Sequence, residues 1–226
     1  MAPRLRRGVL ITLEGGEGAG KTTQAEALAG LLHDEGYEVL LTREPAGTDL
    51  GSLIKEAFER LAAPGEAAGV TPPAELLLFE AARAQHVEEV IRPALDRGEV
   101  VLCDRFSDST LAYQGYGRGL SLDHIRACNH IANGGLVPHL TLLLDVPPEV
   151  GLARAERRPN EKLGQEEPGD AIGRQSLQFH RRVREGFLAL AQREPGRIQV
   201  LDAGQPAEAV TAAAWERVKV FLEDIL

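Results

Sequence analysis

Cysteine is scarce and long apolar runs are missing, and each shortage narrows what the chain can be. The two cysteines among 226 residues, Cys103 and Cys128, form no metal-ligand pattern. Cys103 closes the apolar run EVVLC and reads as a buried strand residue. No stretch approaches the ~18 apolar residues of a membrane span. Behind the basic start MAPRLRRG, the run Val9 to Leu13 is shorter than the roughly 7–15 residues of a signal-peptide core. These absences predict a cytoplasmic protein with no membrane partner. Positive charge is also in deficit: 25 Lys+Arg against 34 Asp+Glu leave a net charge of −9. That balance disfavours a nucleic acid partner, whose binding rests on neutralising many phosphates. The six histidines, His33, His86, His124, His130, His139 and His180, lack ligand spacing and read as structural or surface residues.

What is present fits one α/β domain, with 43% apolar and 26% charged residues. Five short apolar runs read as buried parallel strands: residues 8–14, 37–43, 100–104, 140–146 and 197–203. Helical patterns lie between them, over Lys21 to Glu35, Leu50 to Leu61, Ala74 to Arg97, Leu122 to Asn133, Pro148 to Arg158 and Gln175 to Arg193, with a last helix from Pro206 to Leu226. This alternation predicts a doubly wound parallel sheet of about five strands surrounded by helices, with ligands at the carboxyl ends of the strands. The polar segment 157–173 has two prolines and three glycines, which predicts a mobile lid. The segment 62–73 is a second flexible connection.

After the first strand, EGGEGAGKTTQ satisfies G-x-x-x-x-G-K-[ST] from Gly15 to Thr22 and opens a helix. Such a P-loop presents the backbone N–H groups of Gly15, Gly16, Glu17, Gly18, Ala19, Gly20, Lys21, Thr22 and Thr23 to phosphates, reinforced by the helix N-terminus. Lys21 would reach the terminal phosphates of ATP, and the Thr22 hydroxyl would ligate Mg²⁺. The loop is shared by switches, motors and kinases. A GTP switch would carry an Asn-Lys-x-Asp reader after a late strand, and the nearest string, Asn160 to Leu163, lacks the Asp. A hydrolysing ATPase acting on a protein partner stays open.

TREPAGT (42–48) and DRFSDSTLAYQG (104–115) follow the second and third strands. They put Arg43, Asp104 and Arg105 at neighbouring carboxyl ends, and two arginines there suit bidentate recognition of a second phosphate. Phe79 and Arg83 are four residues apart and share one helix face, a pairing able to stack on a nucleobase and bond a carbonyl.

From LEGGEGAGKTTQ through TREPAGT, FEAARAQH, DRFSDSTLAYQGYGRG and LLLDVPPEVGLARA to VREGFLALA, the chain closely resembles the thymidylate kinases, nucleoside monophosphate kinases of the P-loop class. The resemblance implies transfer of the terminal phosphate of ATP to dTMP, with Mg²⁺, commonly in a homodimer packed through helices such as Ala74 to Leu95. It implies that Phe79 stacks on thymine, Arg83 bonds a base carbonyl, and Thr110 with Ser109 contacts the polar edge of the base. Arg105 would hold the acceptor phosphate, assisted by Arg43 and oriented by Asp104. Tyr113 would close the space beneath C2′, Glu17 would approach the 3′-hydroxyl, and Gln114 would add a base or sugar contact. Arg154 would pack on adenine beside the turn 202–206, and Asp145 would have a supporting role. This loop has no arginine, so Arg157 and Arg158 at the start of the lid are the expected source of the catalytic cation. Two departures stand out. Ala46 replaces the first glycine of the family's TREPGGT, and Asp170-Ala171-Ile172-Gly173 lacks the arginine and glutamate usual where the lid ends. A kinase for another nucleotide or nucleoside is the nearest alternative.

Overall fold

Strands built from Val, Leu and Ile without polar alternation need apolar cover on both faces, and the five expected runs obtain it. The computed structural model describes residues 7–61, 69–157 and 172–225. Its strands β1 (Val9–Glu14), β2 (Val39–Arg43), β3 (Val100–Asp104), β4 (Leu140–Asp145) and β5 (Ile198–Asp202) form one parallel sheet in the order β2-β3-β1-β4-β5. β1 is central and all six of its residues are buried.

The two-residue repeat of a strand sends alternate side chains to opposite layers. Val9, Ile11 and Leu13 join Leu28 and Leu32 of α1 (Lys21–Asp34) and Val218 and Leu222 of α9 (Ala207–Ile225). Leu10 instead enters a cluster with Val87, Ile91 and Phe106. A third cluster places Leu143 of β4 with Tyr113, Ile125 of α6 (Leu122–Asn133), and Phe179 and Phe187 of α8 (Leu177–Arg193). Each fully buried leucine contributes roughly 1.5–3 kcal/mol, so the two faces together hold the sheet rigid beneath its carboxyl edge.

Two helical features depart from expectation. The long helix expected over Ala74 to Arg97 comprises α3 (Pro72–His86), a widened π turn at Val87–Ile91, and α4 (Arg92–Asp96). Pro93 has no N–H for the carbonyl four residues back and its ring crowds that group, which accounts for the widening. The second departure is a helix not expected at all: α5 (Ser107–Thr110) continues as π turns over Leu111–Gly117. Nearly every residue in it is buried, so it carries no amphipathic stripe to read.

Parallel register aligns the functional ends. Arg43 pairs with Asp104 between β2 and β3, and Leu13 pairs with Asp104 between β1 and β3. α2 (Asp49–Leu61) packs against α3 above this edge. α7 (Pro148–Glu156) ends at Arg157, which is exposed. Arg158 and most of the expected lid, including Asp170 and Ala171, lie outside the described residues.

Candidate functional site

The loop from Gly15 to Gly20 leaves β1 and enters α1, with Gly15, Gly18 and Gly20 all at positive φ. Gly18 also meets α7 at close range. A Cβ on Gly18 would collide with the Gly151 carbonyl, and a Cβ on Gly151 would collide with the Glu17 carbonyl. Two facing glycines let the phosphate loop rest directly on the helix that follows β4. That helix carries Arg154, which donates to the carbonyls of Ala203 at 2.7 Å and Gly204 at 3.5 Å. The two expected adenine-side features are thus joined to each other.

Lys21 is buried and donates from Nζ to the carbonyls of Gly15 at 3.2 Å and Gly16 at 2.8 Å. Burial, aided by the nearby Arg105 charge, pushes its ammonium down to about 8. The Thr22 hydroxyl donates to Asp104 Oδ2 at 2.7 Å, while Asp104 Oδ1 is buried without a hydrogen-bond partner. A hydroxyl oxygen and an unsatisfied carboxylate oxygen at a phosphate loop suit a hard cation such as Mg²⁺, which binds through one or two carboxylates plus substrate phosphates. No cluster of three acidic, His or Cys side chains forms a metal cage among the described residues, and this mode of binding requires none. Arg43 is exposed and lines the same cavity as Glu17, Lys21, Thr22, Asp104 and Arg105.

A second cavity adjoins the first. It is lined by Glu17, Phe79, Arg83, Arg105, Ser109, Thr110, Tyr113 and Gln114, all expected acceptor residues, and also by Glu44, Pro45, Phe58 and Ile172. Glu17, Glu44 and Arg105 line both cavities. Arg105 donates to Glu17 at 2.5 Å and to the Tyr113 hydroxyl at 3.1 Å, and that hydroxyl donates to Glu17 at 3.0 Å. Burial raises the Glu17 carboxyl, but the charges of Arg105 and Lys21 outweigh it and hold the group down at about 2. Glu17 is therefore an anion throughout the physiological range, fixed at the boundary of the two cavities.

Deeper in, Arg83 is nearly fully buried. It donates to Glu44 at 2.9 Å, Glu80 at 3.1 Å, Thr110 at 2.9 Å and Asn129 at 2.8 Å. Phe79 is half-buried, with its ring 5.3 Å from that of Phe58 at a tilt of 58°. The Gln114 amide donates to Glu75 at 2.8 Å, and Glu75 also takes Arg118 at 2.9 Å, so Gln114 is oriented from behind. Asp145 takes both Nε and Nη2 of Arg184, at 2.7 and 2.8 Å, away from either cavity lining.

The family model described as thymidylate kinase matches residues 13–214. Similar curated proteins named thymidylate kinase include one from Synechococcus, 55% identical over 93% of this chain and 94% of that protein, and one from Deinococcus radiodurans, 50% identical over 95% and 98%. The crystal structure of thymidylate kinase from Ehrlichia chaffeensis matches with a TM-score of 0.72 and 31% identity, over 94% of this chain and 99% of that one. The chain belongs to the thymidylate kinase family. Membership makes it a nucleoside monophosphate kinase, a transferase that phosphorylates dTMP for dTTP synthesis.

Within the thymidylate kinase pattern, Ala46 causes no backbone strain, because the one non-glycine residue at positive φ among the described residues is Arg105. The site also contains residues that motif reading passed over. Glu44 stands inside TREPAGT yet reads as a loop acid, although it grips Arg83. Phe58 reads as the core face of α2, although it backs Phe79. Glu44 is disclosed by the approach of the loop after β2 to α3, and Phe58 by the adjacency of α2 and α3.

Proposed function

We propose that the two adjoining cavities hold the two substrates of one in-line phosphoryl transfer, ATP on the phosphate loop and dTMP against Phe79 and Arg83. The observation that carries this reading is the shared wall of Glu17 and Arg105, which leaves only a short path between the two phosphate positions. In this assignment Phe79 stacks on thymine, and Arg83, with Ser109 and Thr110, bonds its polar edge. Gln114 adds a contact, Tyr113 fills the space beneath C2′, and Glu17 meets the 3′-hydroxyl. Arg105 and Arg43 hold the acceptor phosphate. Arg154 packs on adenine, and Lys21 leaves its carbonyl partners for the terminal phosphates.

Phosphoryl transfer asks for positioning and charge neutralisation more than for covalent chemistry. An ionised oxygen of the dTMP phosphate attacks the terminal phosphorus of ATP, the bond to the bridging oxygen breaks, and dTDP and ADP leave; no side chain needs to remove a proton. Thr22 and Asp104 would hold Mg²⁺, which supplies charge neutralisation on the ATP phosphates. Arg157 and Arg158 remain the proposed source of the further cation that acts on the transferring group.

The whole chain works as one kinase domain in the cytoplasm, as a homodimer. Exposed Leu53, Leu77 and Ile131 on the neighbouring helices α2, α3 and α6 support the dimer, and light scattering at twice the chain mass would establish it. Among the described residues no helix is long and apolar enough to cross a membrane. The two-cavity assignment is tested with an analogue that links adenosine to thymidine through a polyphosphate. It should compete with both ATP and dTMP; competition with one alone would contradict the shared wall.

A further inference from the structure

The end of β1 holds a buried carboxyl group that phosphoryl transfer leaves without a task. Glu14 is fully buried and immediately precedes the phosphate loop. Its Oε1 accepts the backbone N–H of Phe106 at 2.8 Å and of Ser109 at 3.3 Å, and its Oε2 lies 2.6 Å from the Ser109 hydroxyl. These partners bracket the turn that follows β3.

Arg105 sits in that turn at φ +72°. The left-handed region is costly for a residue with a Cβ, and such a conformation persists only where its surroundings over-determine it. β1 provides that constraint from two sides. The Arg105 N–H donates to the Leu13 carbonyl at 3.0 Å, and the next N–H along the chain, that of Phe106, goes to the Glu14 side chain. The bend so held returns the guanidinium toward the extension of β1, where it reaches the Gly15 carbonyl at 3.3 Å and Glu17 at 2.5 Å.

We infer that Glu14 is the positioning residue for Arg105, holding its left-handed turn and thereby setting the acceptor-phosphate arginine in register with the donor loop. This rests on the proposed role of Arg105 toward the acceptor phosphate. Glu14 itself touches no substrate. Burial and the Asp108 carboxylate push its carboxyl up to about 8, so near neutral pH the acid form prevails. Oε1 accepts both backbone N–H groups; the Ser109 hydroxyl donates to an ionised Oε2, and in the acid form that bond runs from the carboxyl O–H instead. Glutamine reproduces this pattern, with its carbonyl as the acceptor and its amide N–H as the donor. Alanine removes all three bonds, and aspartate falls one methylene short.

Calorimetric Kd values for dTMP and for thymidine, measured on the wild-type chain and on Glu14→Gln, Glu14→Ala and Glu14→Asp, test the inference. Thymidine keeps the base contacts and lacks the phosphate, so the ratio of its Kd to that of dTMP reports the hold of Arg105 and Arg43 on the phosphate, of which Glu14 supports Arg105. A merely structural role would weaken both ligands together. The ratio should survive in Glu14→Gln. It should fall about 10- to 100-fold in Glu14→Ala and Glu14→Asp, the worth of hydrogen bonds to a charged group, with thymidine, which keeps Phe79 and Arg83 but loses the Glu14 hold on Ser109, weakened far less than dTMP. Where alanine prevents folding, the aspartate variant decides. An unchanged ratio in the short variants, a parallel loss of both ligands, or a loss in Glu14→Gln as large as in Glu14→Asp would overturn it. A wild-type ratio near one would instead refute the phosphate role of Arg105, which separates the two failures.

Discussion

Replacing Arg83 with alanine would leave two buried carboxylates facing one another with no cation between them. In the intact chain the guanidinium meets Glu44 Oε2 through both Nε and Nη2, at 2.9 and 2.8 Å, and Glu80 Oε2 through Nη1 at 3.1 Å. The Arg83 side chain is 3% exposed and each acid 7%, so the pair is a buried one. Removing one partner of a buried ion pair costs about 3–5 kcal/mol. At roughly 2–4 °C per kcal/mol for a chain of this size, the melting temperature should drop by about 6–20 °C. The pH dependence gives a second reading. Burial already holds the Glu80 carboxyl above its ordinary value of 4.5, with Arg83 opposing that rise; without Arg83 it climbs further. A carboxyl raised in the folded state binds its proton more tightly there than in the unfolded chain. Its stabilising contribution is complete below the ordinary value and is lost as pH rises through the folded one. The variant's deficit should therefore be smaller near about pH 5 than near about pH 8. Adding Glu44→Gln should restore part of it. Thermal and urea melts followed by circular dichroism at both pH values make the test. A loss below about 1 kcal/mol, the range of exposed pairs, or a deficit that shrinks with rising pH, would refute the reasoning.

Phe79→Ala should weaken dTMP binding by about 1–3 kcal/mol, the range found for base-stacking aromatics, and an unchanged Kd would return the ring to a packing role beside Phe58. For Glu17, a carboxyl lowered from 4.5 to about 2 stabilises the fold above its ordinary value and loses that contribution as pH falls toward the folded one. At most about 3 kcal/mol is involved, at 1.36 kcal/mol per pKa unit. Glu17→Gln should therefore be less stable than the wild type near neutral pH and converge with it in acid; urea melts across the acid range would show parallel curves if the ion pair with Arg105 contributes nothing. Replacing Arg157 and Arg158 together should lower kcat far more than dTMP affinity, and steady-state kinetics with an intact kcat would move the catalytic cation to another side chain.

How much of this was legible depends on whether a residue's role shows in its own neighbourhood along the chain. The strands announced themselves, since Val100–Asp104 and Leu140–Asp145 are apolar runs too short for helices. The phosphate loop did so too, because its spacing is the geometry. Convergence of Phe79, Arg83, Arg105, Ser109, Thr110, Tyr113 and Gln114 on one cavity was anticipated through family resemblance; spacing alone could pair only Phe79 with Arg83. The helix from Ser107 to Gly117 was not visible, since it is buried on all sides and begins with four polar residues whose partners lie far away in sequence. Asp108, for example, is held by Arg197 at 2.7 and 2.9 Å across 89 positions. Glu14 and Glu44 do not show in the sequence for the same reason: each is an acid whose task is set by a partner tens of residues away.

The central claim is that the loop holds a phosphate in order to pass it to dTMP in the adjoining cavity. ADP release from Mg·ATP, measured with dTMP, dUMP, UMP, AMP, thymidine or no acceptor, tests it most directly. Strong stimulation by dTMP, with dTDP as the product, is the predicted result. Equal slow release with every acceptor would contradict it and leave a nucleotide-hydrolysing switch in its place.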